Sequence, residues 1–200
     1  MDKDCMTEIA SRRACRRFSN DRVEGRKLRN VLEAGRLAPS GFGLEPWRFL
    51  VVDKTPLRTE LAKACFNQSP ATTAPVLIVI VARVAMLHPE RGYVLQQLAA
   101  EAGEADPAIV MEGYRAFYEY ADIAAWALGQ CQIAASFMML EAVHQQLATC
   151  PIGGFDEALL RAALSLPDGE TPALVLALGS CVDKPGPRRR RPAEDVIAYL

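Results

Sequence analysis

The sequence predicts an α+β fold, a three-layer sandwich of helices around one central sheet. Segments of helical period and strand-like runs are interleaved along 200 residues, and no Gly-x-Gly-x-x-Gly turn follows a strand. A dinucleotide-binding doubly wound sheet therefore has little support, and a sandwich with one core fits better. Val76-Leu77-Ile78-Val79-Ile80-Val81 is continuously apolar, the pattern of an interior strand covered on both faces. Half of the residues are hydrophobic, enough for a sizeable core in a chain of single-domain length.

In chain order, a short helix is predicted over Met6–Ala14 and a second over Glu24–Leu37, where Leu28, Val31, Leu32 and Gly35 recur at helical spacing. Ala38-Pro39-Ser40-Gly41 ends it, because a residue before proline is pushed out of the helical region. Trp47–Val52, rich in bulky and β-branched residues, reads as a buried strand. Thr55 reads as an N-cap with Pro56 at the first helical position, opening a helix to about Cys65. Pro75–Val84 carries the interior strand. Residues 89–118 are mixed, with helical stretches broken by Gly and Pro, and a long helix is predicted over Glu119–Leu147. Cys150–Gly154 is a strand or turn, Asp156–Leu166 a helix and Ala173–Gly179 a strand, followed by a Pro/Arg tail; there is no internal repeat and no linker.

The apolar stretch Ile123–Val143 is long enough to weigh as a membrane span. Gln130, Gln132 and Glu141 within it would each be costly in hydrocarbon, so it reads as a helix buried in a core or a subunit interface, with no membrane partner. The six cysteines are scattered without a Cys-x-x-Cys pair and there are two histidines, which speaks against a zinc site. With no secretory signal ahead of them, reduced cytoplasmic thiols are expected. Asp2, Asp4 and Glu8 argue against a transit peptide. His88 and His144 have no neighbouring arrangement that suggests a triad and are expected to be structural.

Lys plus Arg number 23 against 24 Asp plus Glu, so local arginine clusters stand out in a near-neutral chain. Arg12, Arg13, Arg16 and Arg17 fall within six residues, and Arg188–Arg191 form a second run near the other end. Guanidinium forks are planar, permanently charged and bond phosphate bidentately. Alone, the second run also reads as a solvated tail or a nucleic-acid patch. No aromatic residues interleave it, as a single-strand binder would want.

Three further motifs lie between the clusters: Ala38-Pro39-Ser40-Gly41-Phe42-Gly43-Leu44-Glu45-Pro46-Trp47, the Asn67-Gln68 pair, and Pro151-Ile152-Gly153-Gly154-Phe155. Taken in order with the arginines, they resemble the FMN-dependent nitroreductase family from Ser11 to Pro192. That family opens with Arg-Arg-Ser-x-Arg, continues with Ala-Pro-Ser-Ser-x-Asn-x-Gln-Pro-Trp and Pro-Ile-x-Gly-Phe, and closes with a basic pair before proline. This chain departs from it at Ala14, Gly41, Gly43 and Glu45.

The resemblance implies a single nitroreductase-like domain over 1–200, a mixed, mainly antiparallel sheet, and a homodimer with FMN at the interface. Arg12, Arg188 and Arg190 would hold the FMN phosphate, with Arg13 and Ala14 beside them and Arg16 nearer the ring edge. Pro39 and Ser40 would cover the flavin from the other subunit. Asn67 would bond the pyrimidine edge, and backbone N–H groups in Pro151-Ile152-Gly153-Gly154 would face N5 and O4, where glycine permits close approach. Phe117 or Tyr118 would form a substrate gate, although at helical spacing they also read as core aromatics, just as Gly153-Gly154 also reads as a turn. The implied activity is ping-pong transfer from NADH or NADPH to a small-molecule acceptor such as a nitroaromatic or quinone, in the cytoplasm, with no catalytic side chain and no metal. Within the same fold, a flavin reductase, a reductive dehalogenase or desaturase, or a non-catalytic flavin-binding protein are the alternatives.

Overall fold

Side chains between positions 76 and 82 take alternate faces. Val76, Ile78, Ile80 and Ala82 join one apolar cluster, and Leu77, Val79 and Val81 join another. Period-two alternation in which both faces are buried requires a helical layer on each side. The computed structural model, which describes residues 5–53, 56–183 and 186–200, supplies both layers.

The elements, in order, are helices Thr7–Ser11 (α1) and Gly25–Arg36 (α2), strand Trp47–Val52 (β1), helices Leu57–Ala64 (α3) and Ser69–Thr73 (α4), and strand Val76–Arg83 (β2). Helices Gly92–Glu101 (α5), Pro107–Tyr120 (α6) and Ile123–His144 (α7) follow. Strand Ala148–Ile152 (β3), helix Glu157–Leu164 (α8) and strand Glu170–Gly179 (β4) complete the fold. The sheet order is β1-β2-β4-β3, and the named strands all pair antiparallel. The expected sheet was mixed; among the described residues the parallel contribution is an isolated bridge between Ala14 and Thr149. Pro172, which cannot donate to a ladder, sits where the β2–β4 register slips.

Several boundaries differ from expectation. The first helix stops at Ser11, because the chain from Ala14 onward pairs with Thr149 instead. The long helix predicted from Glu119 is two: α6 runs on through Tyr120, and Asp122 then caps α7 by accepting from the Ala125 N–H. Pro56 stands just ahead of α3 rather than inside it, and the expected Thr55 cap lies outside the described residues. Between α3 and β2, Ser69–Thr73 forms a further helical turn with Pro70 near its start.

By length and composition α7 could cross a membrane, and 28% of its apolar window is buried in the chain. Its inner face packs on the sheet and on α2, where Gly35 leaves room for Met138. Its amides have protein partners: Gln130 accepts from the Gly41 N–H at 2.9 Å, and Gln132 donates to the Ala173 carbonyl at 3.2 Å. These bonds fit a core helix.

The stretch 14–19 closes over the ends of β3 and β4. Cys15 N–H donates to Thr149, Ser19 N–H to Ser180, and Val182 N–H to Arg17, all between 2.9 and 3.1 Å. The expectation of reduced thiols throughout fails here, because Cys15 and Cys181 are joined as a disulfide with their Cα atoms 5.7 Å apart. Pairing on both sides of the two residues holds their backbones within bridging distance.

Gly179 is the tight point of this closure. A Cβ there would lie 2.5 Å from the Pro75 ring and 3.2 Å from Phe18. Gly179→Ala should therefore cost about 1–3 kcal/mol of stability through overpacking against a rigid ring. Urea unfolding of the variant measures it.

Candidate functional site

Arg188 joins the two ends of the chain. Its Nη2 donates to the carbonyls of Ile9 at 2.6 Å and Arg12 at 2.9 Å. Arg12 is half-buried, and burial, followed by repulsion from Arg188, Arg190 and Arg13, holds its guanidinium below the ordinary arginine pKa. Arg13 donates to the carbonyls of Ala10 and Arg12, both at 2.9 Å, and Arg190 to that of Arg189 at 2.8 Å. Among the described residues no carboxylate lies in ion-pair range of Arg12, Arg13, Arg16, Arg188 or Arg190. The Nε of Arg188 is buried without a partner. Crowded like charges whose donors reach only carbonyls form a surface suited to an external anion.

The same surface continues along β3. Ala14 bridges to Thr149, and the Cys150 thiol, pushed up by burial, is pulled the other way by Arg16 and Arg12. Four residues beyond Thr149, or about 13 Å at strand rise, the chain reaches Gly153. There Ile152 is buried while Pro151, Gly153 and Gly154 are exposed. A Cβ on Gly153 would meet nothing within 4 Å. Gln68 Nε2 donates to the Gly154 carbonyl at 2.8 Å and brings an amide to the glycine pair. Asn67, in contrast, lines a cavity of about 330 Å³ with Arg58, Thr59 and Thr72.

The remaining expected residues lie toward the other end of α7 from this surface: Gly41 bonds Gln130 and Phe117 packs on Trp126, whereas Glu8 of α1 meets His144 at 3.3 Å. Ser40 Oγ accepts from the Glu45 N–H at 2.8 Å, and the exposed Pro39 precedes it. Gly43 has φ +60°, a left-handed position that glycine and asparagine both tolerate, and the Glu101 carboxylate fills the space a Cβ would take, 2.6 Å away. Phe117 packs at 5.3 Å from Phe42 and 5.5 Å from Trp126, and Tyr118 at 5.5 Å from His88. Both belong to the aromatic cluster that abuts the α7 layer. A single chain thus brings Arg12, Arg13, Ala14, Arg16, Arg188, Arg190 and Pro151–Gly154 to one surface and leaves Pro39, Ser40, Phe117 and Tyr118 on another.

The order of these motifs is shared with a family of known proteins: residues 9–180 match the Nitroreductase family. The chain belongs to the nitroreductase family. Among curated relatives, it is 32% identical over 198 residues to the NADH dehydrogenase of Thermus thermophilus, with 98% of this chain and 96% of that one covered. It is 26% identical to the oxygen-insensitive NADPH nitroreductase of Helicobacter acinonychis, covering 96% and 94%. Among solved structures, a provisionally named nitroreductase from Exiguobacterium sibiricum, in complex with FMN, superposes with a TM-score of 0.81 at 24% identity, covering 96% and 95%.

Two features are added by the structure. Gln68, at the entry to α4, reaches the Gly154 carbonyl, whereas Asn67 sits at φ +50° and lines the cavity with Arg58. The Cys15–Cys181 link had a signal, since each cysteine lies in or just before one of the arginine stretches. Stretches that converge on one ligand bring their cysteines together too.

Replacing Arg188 by leucine should release residues 186–200 from the N-terminal segment. Losing hydrogen bonds from a charged donor costs about 1.5–3 kcal/mol. Urea unfolding, and faster tryptic cleavage after Arg189, would register it.

Proposed function

We propose that this chain is an FMN-dependent oxidoreductase that uses NAD(P)H to reduce nitroaromatics, quinones or similar flat acceptors, as a one-domain subunit of a homodimer. The observation that carries the reading is the gathering of Arg12, Arg13, Arg188 and Arg190 without a carboxylate partner among the described residues. That donor set fits a phosphate. The open glycine pair and the Gln68 amide, further along β3, fit a flat polar ring joined to it. When bound, FMN takes two electrons from NAD(P)H and passes them to the acceptor.

The roles of this chain's residues follow from position. Arg12, Arg188 and Arg190 hold the phosphate, Arg13 fixes the backbone of the first arginine stretch, and Arg16 adds positive potential nearer the ring. Ala14 supplies backbone alone. Gln68 orients the Gly154 carbonyl beside the place expected for Asn67, while Pro151–Gly154 let backbone approach the ring. None of these needs to act as acid or nucleophile, because orientation and electrostatics are the protein's share.

The dimer is supported by what one chain leaves uncovered. Ile133 and Phe137 are exposed on the outer face of α7, and Val196, Ile197, Tyr199 and Leu200 are exposed beyond Arg191. Pro39, Ser40, Phe117 and Tyr118, which lie toward the other end of α7 from the arginines, would reach the cofactor from a second subunit. An enzyme supplied with NAD(P)H works in the cytoplasm.

The absorption spectrum of the purified protein, before and after NADH or NADPH, tests the reading: a flavin band that bleaches supports it, and a colourless protein that gains none with added FMN contradicts it. Arg12→Ala and Arg190→Ala should each weaken FMN binding by roughly tenfold to a hundredfold, the equivalent of one charge-assisted contact; full flavin occupancy in both would refute the phosphate assignment. A valine at 154 would crowd Gln68, whose Nε2 lies 3.8 Å from a Cβ built at that glycine. Gly154→Val should slow flavin reduction by roughly tenfold or more while leaving FMN content intact, as stopped-flow bleaching would show.

A further inference from the structure

The geometry points to Cys15–Cys181 as a reversible thiol–disulfide exchange site that fastens the two arginine stretches of the anion surface, with a protein dithiol as its reductant. The inference rests on the FMN reading above and adds a means of regulating it.

The bond joins residues 166 apart in sequence. Cys15 lies between Arg13 and Arg16, and Cys181 immediately follows the strand whose continuation carries Arg188. Closing so long a loop removes much of the freedom of the open chain, so the link affects how well the two arginine stretches are held in register. Pre-organised donors bind an anion more tightly than donors that must first be assembled.

In a compartment rich in NAD(P)H and reduced thiols, a disulfide is characteristically transient or redox-sensing rather than a permanent staple. The remaining chemistry isolates this pair. Burial pushes the Cys65 thiol up to about 11 and the Cys131 thiol up to about 12, and raises Cys150 as well, so these three are poor nucleophiles at neutral pH. Cys5 is the exposed free thiol.

Access is one-sided. Cys15 is 1% exposed and Cys181 is half-buried, so an incoming thiolate meets Cys181 Sγ. Attack there breaks the Cys15–Cys181 bond, forms a mixed disulfide on Cys181 and expels Cys15 as a thiolate, next in sequence to Arg16, while Arg17 is paired with Asp183 at 3.3 Å. The second thiol of the reductant then displaces Cys181. One dithiol becomes a disulfide while two electrons and two protons pass to this chain. Oxidised glutathione reverses the change and leaves as two thiols. The reduced form has an acceptor in place: the Arg17 carbonyl is 3.1 Å from Cys15 Sγ and 3.8 Å from Cys181 Sγ. The bridges at 14–149 and 18–181 keep the stretch docked, more loosely, when the bond opens.

The test compares the full-length protein after oxidised glutathione and after dithiothreitol. Maleimide labelling under denaturation should count four thiols in the first form and six in the second, the number of cysteines in the chain. Flavin fluorescence titration should show FMN held about tenfold less tightly by the reduced form, and trypsin should cut at Arg16 and Arg17 faster. Cys15→Ala/Cys181→Ala should match the reduced wild type and ignore dithiothreitol; the wild-type comparison stands without it should the variant misfold. Six labelled thiols after oxidation would overturn the switch. Equal FMN affinity in the two forms would also overturn it and leave the cofactor reading intact. Absence of FMN binding in both forms would defeat the cofactor reading and the switch together.

Discussion

Like charges held together, with no carboxylate in ion-pair range of them among the described residues, are the constraint around which this molecule is arranged. Arg188 bonds the carbonyls of Ile9 and Arg12, and so sets a second guanidinium against Arg12 in a half-buried place. Repulsion at this range is unfavourable unless an anion offsets it. The protein accepts the cost by anchoring both stretches elsewhere. Residues 14–19 pair with the ends of β3 and β4, and Cys15–Cys181 ties them a second time. The sheet serves that arrangement: β2 and β4, buried on both faces, fix where those ends lie.

The three-layer division follows from the same strands. Along β4, Leu174, Leu176 and Leu178 face the cluster that contains α7, and Val175 and Ala177 face the one that contains α3 and α8. The segment at Ala14–Cys15 and strand β3 back onto the second layer, and the aromatic cluster of Phe42, Tyr114, Phe117 and Trp126 belongs to the first.

Legibility in the sequence tracked how local each signal was. Trp47–Val52 was recovered to the residue and the β2 run to within about a residue, because bulky and β-branched runs bounded by Pro and turn residues leave little choice. The break between α6 and α7 was missed: Ala121-Asp122 carries neither glycine nor proline, and only the Asp122 cap marks it. The arginine convergence was legible through the order of motifs rather than through any one of them. The disulfide was legible only as two cysteines beside those stretches, since a pairing 166 residues apart depends on how the stretches meet in space. The reach of Gln68 to Gly154, just after a left-handed backbone position at Asn67, is not displayed by composition.

The most direct measurement of the central claim is the affinity of the purified protein for FMN set beside its affinity for riboflavin, which lacks the phosphate. Guanidinium–phosphate contacts from at least two arginines make FMN the tighter ligand by roughly a hundredfold or more, and rising salt should narrow the gap. Equal affinity for the two flavins would contradict the account, because the gathered arginines would then be holding something other than the cofactor's phosphate.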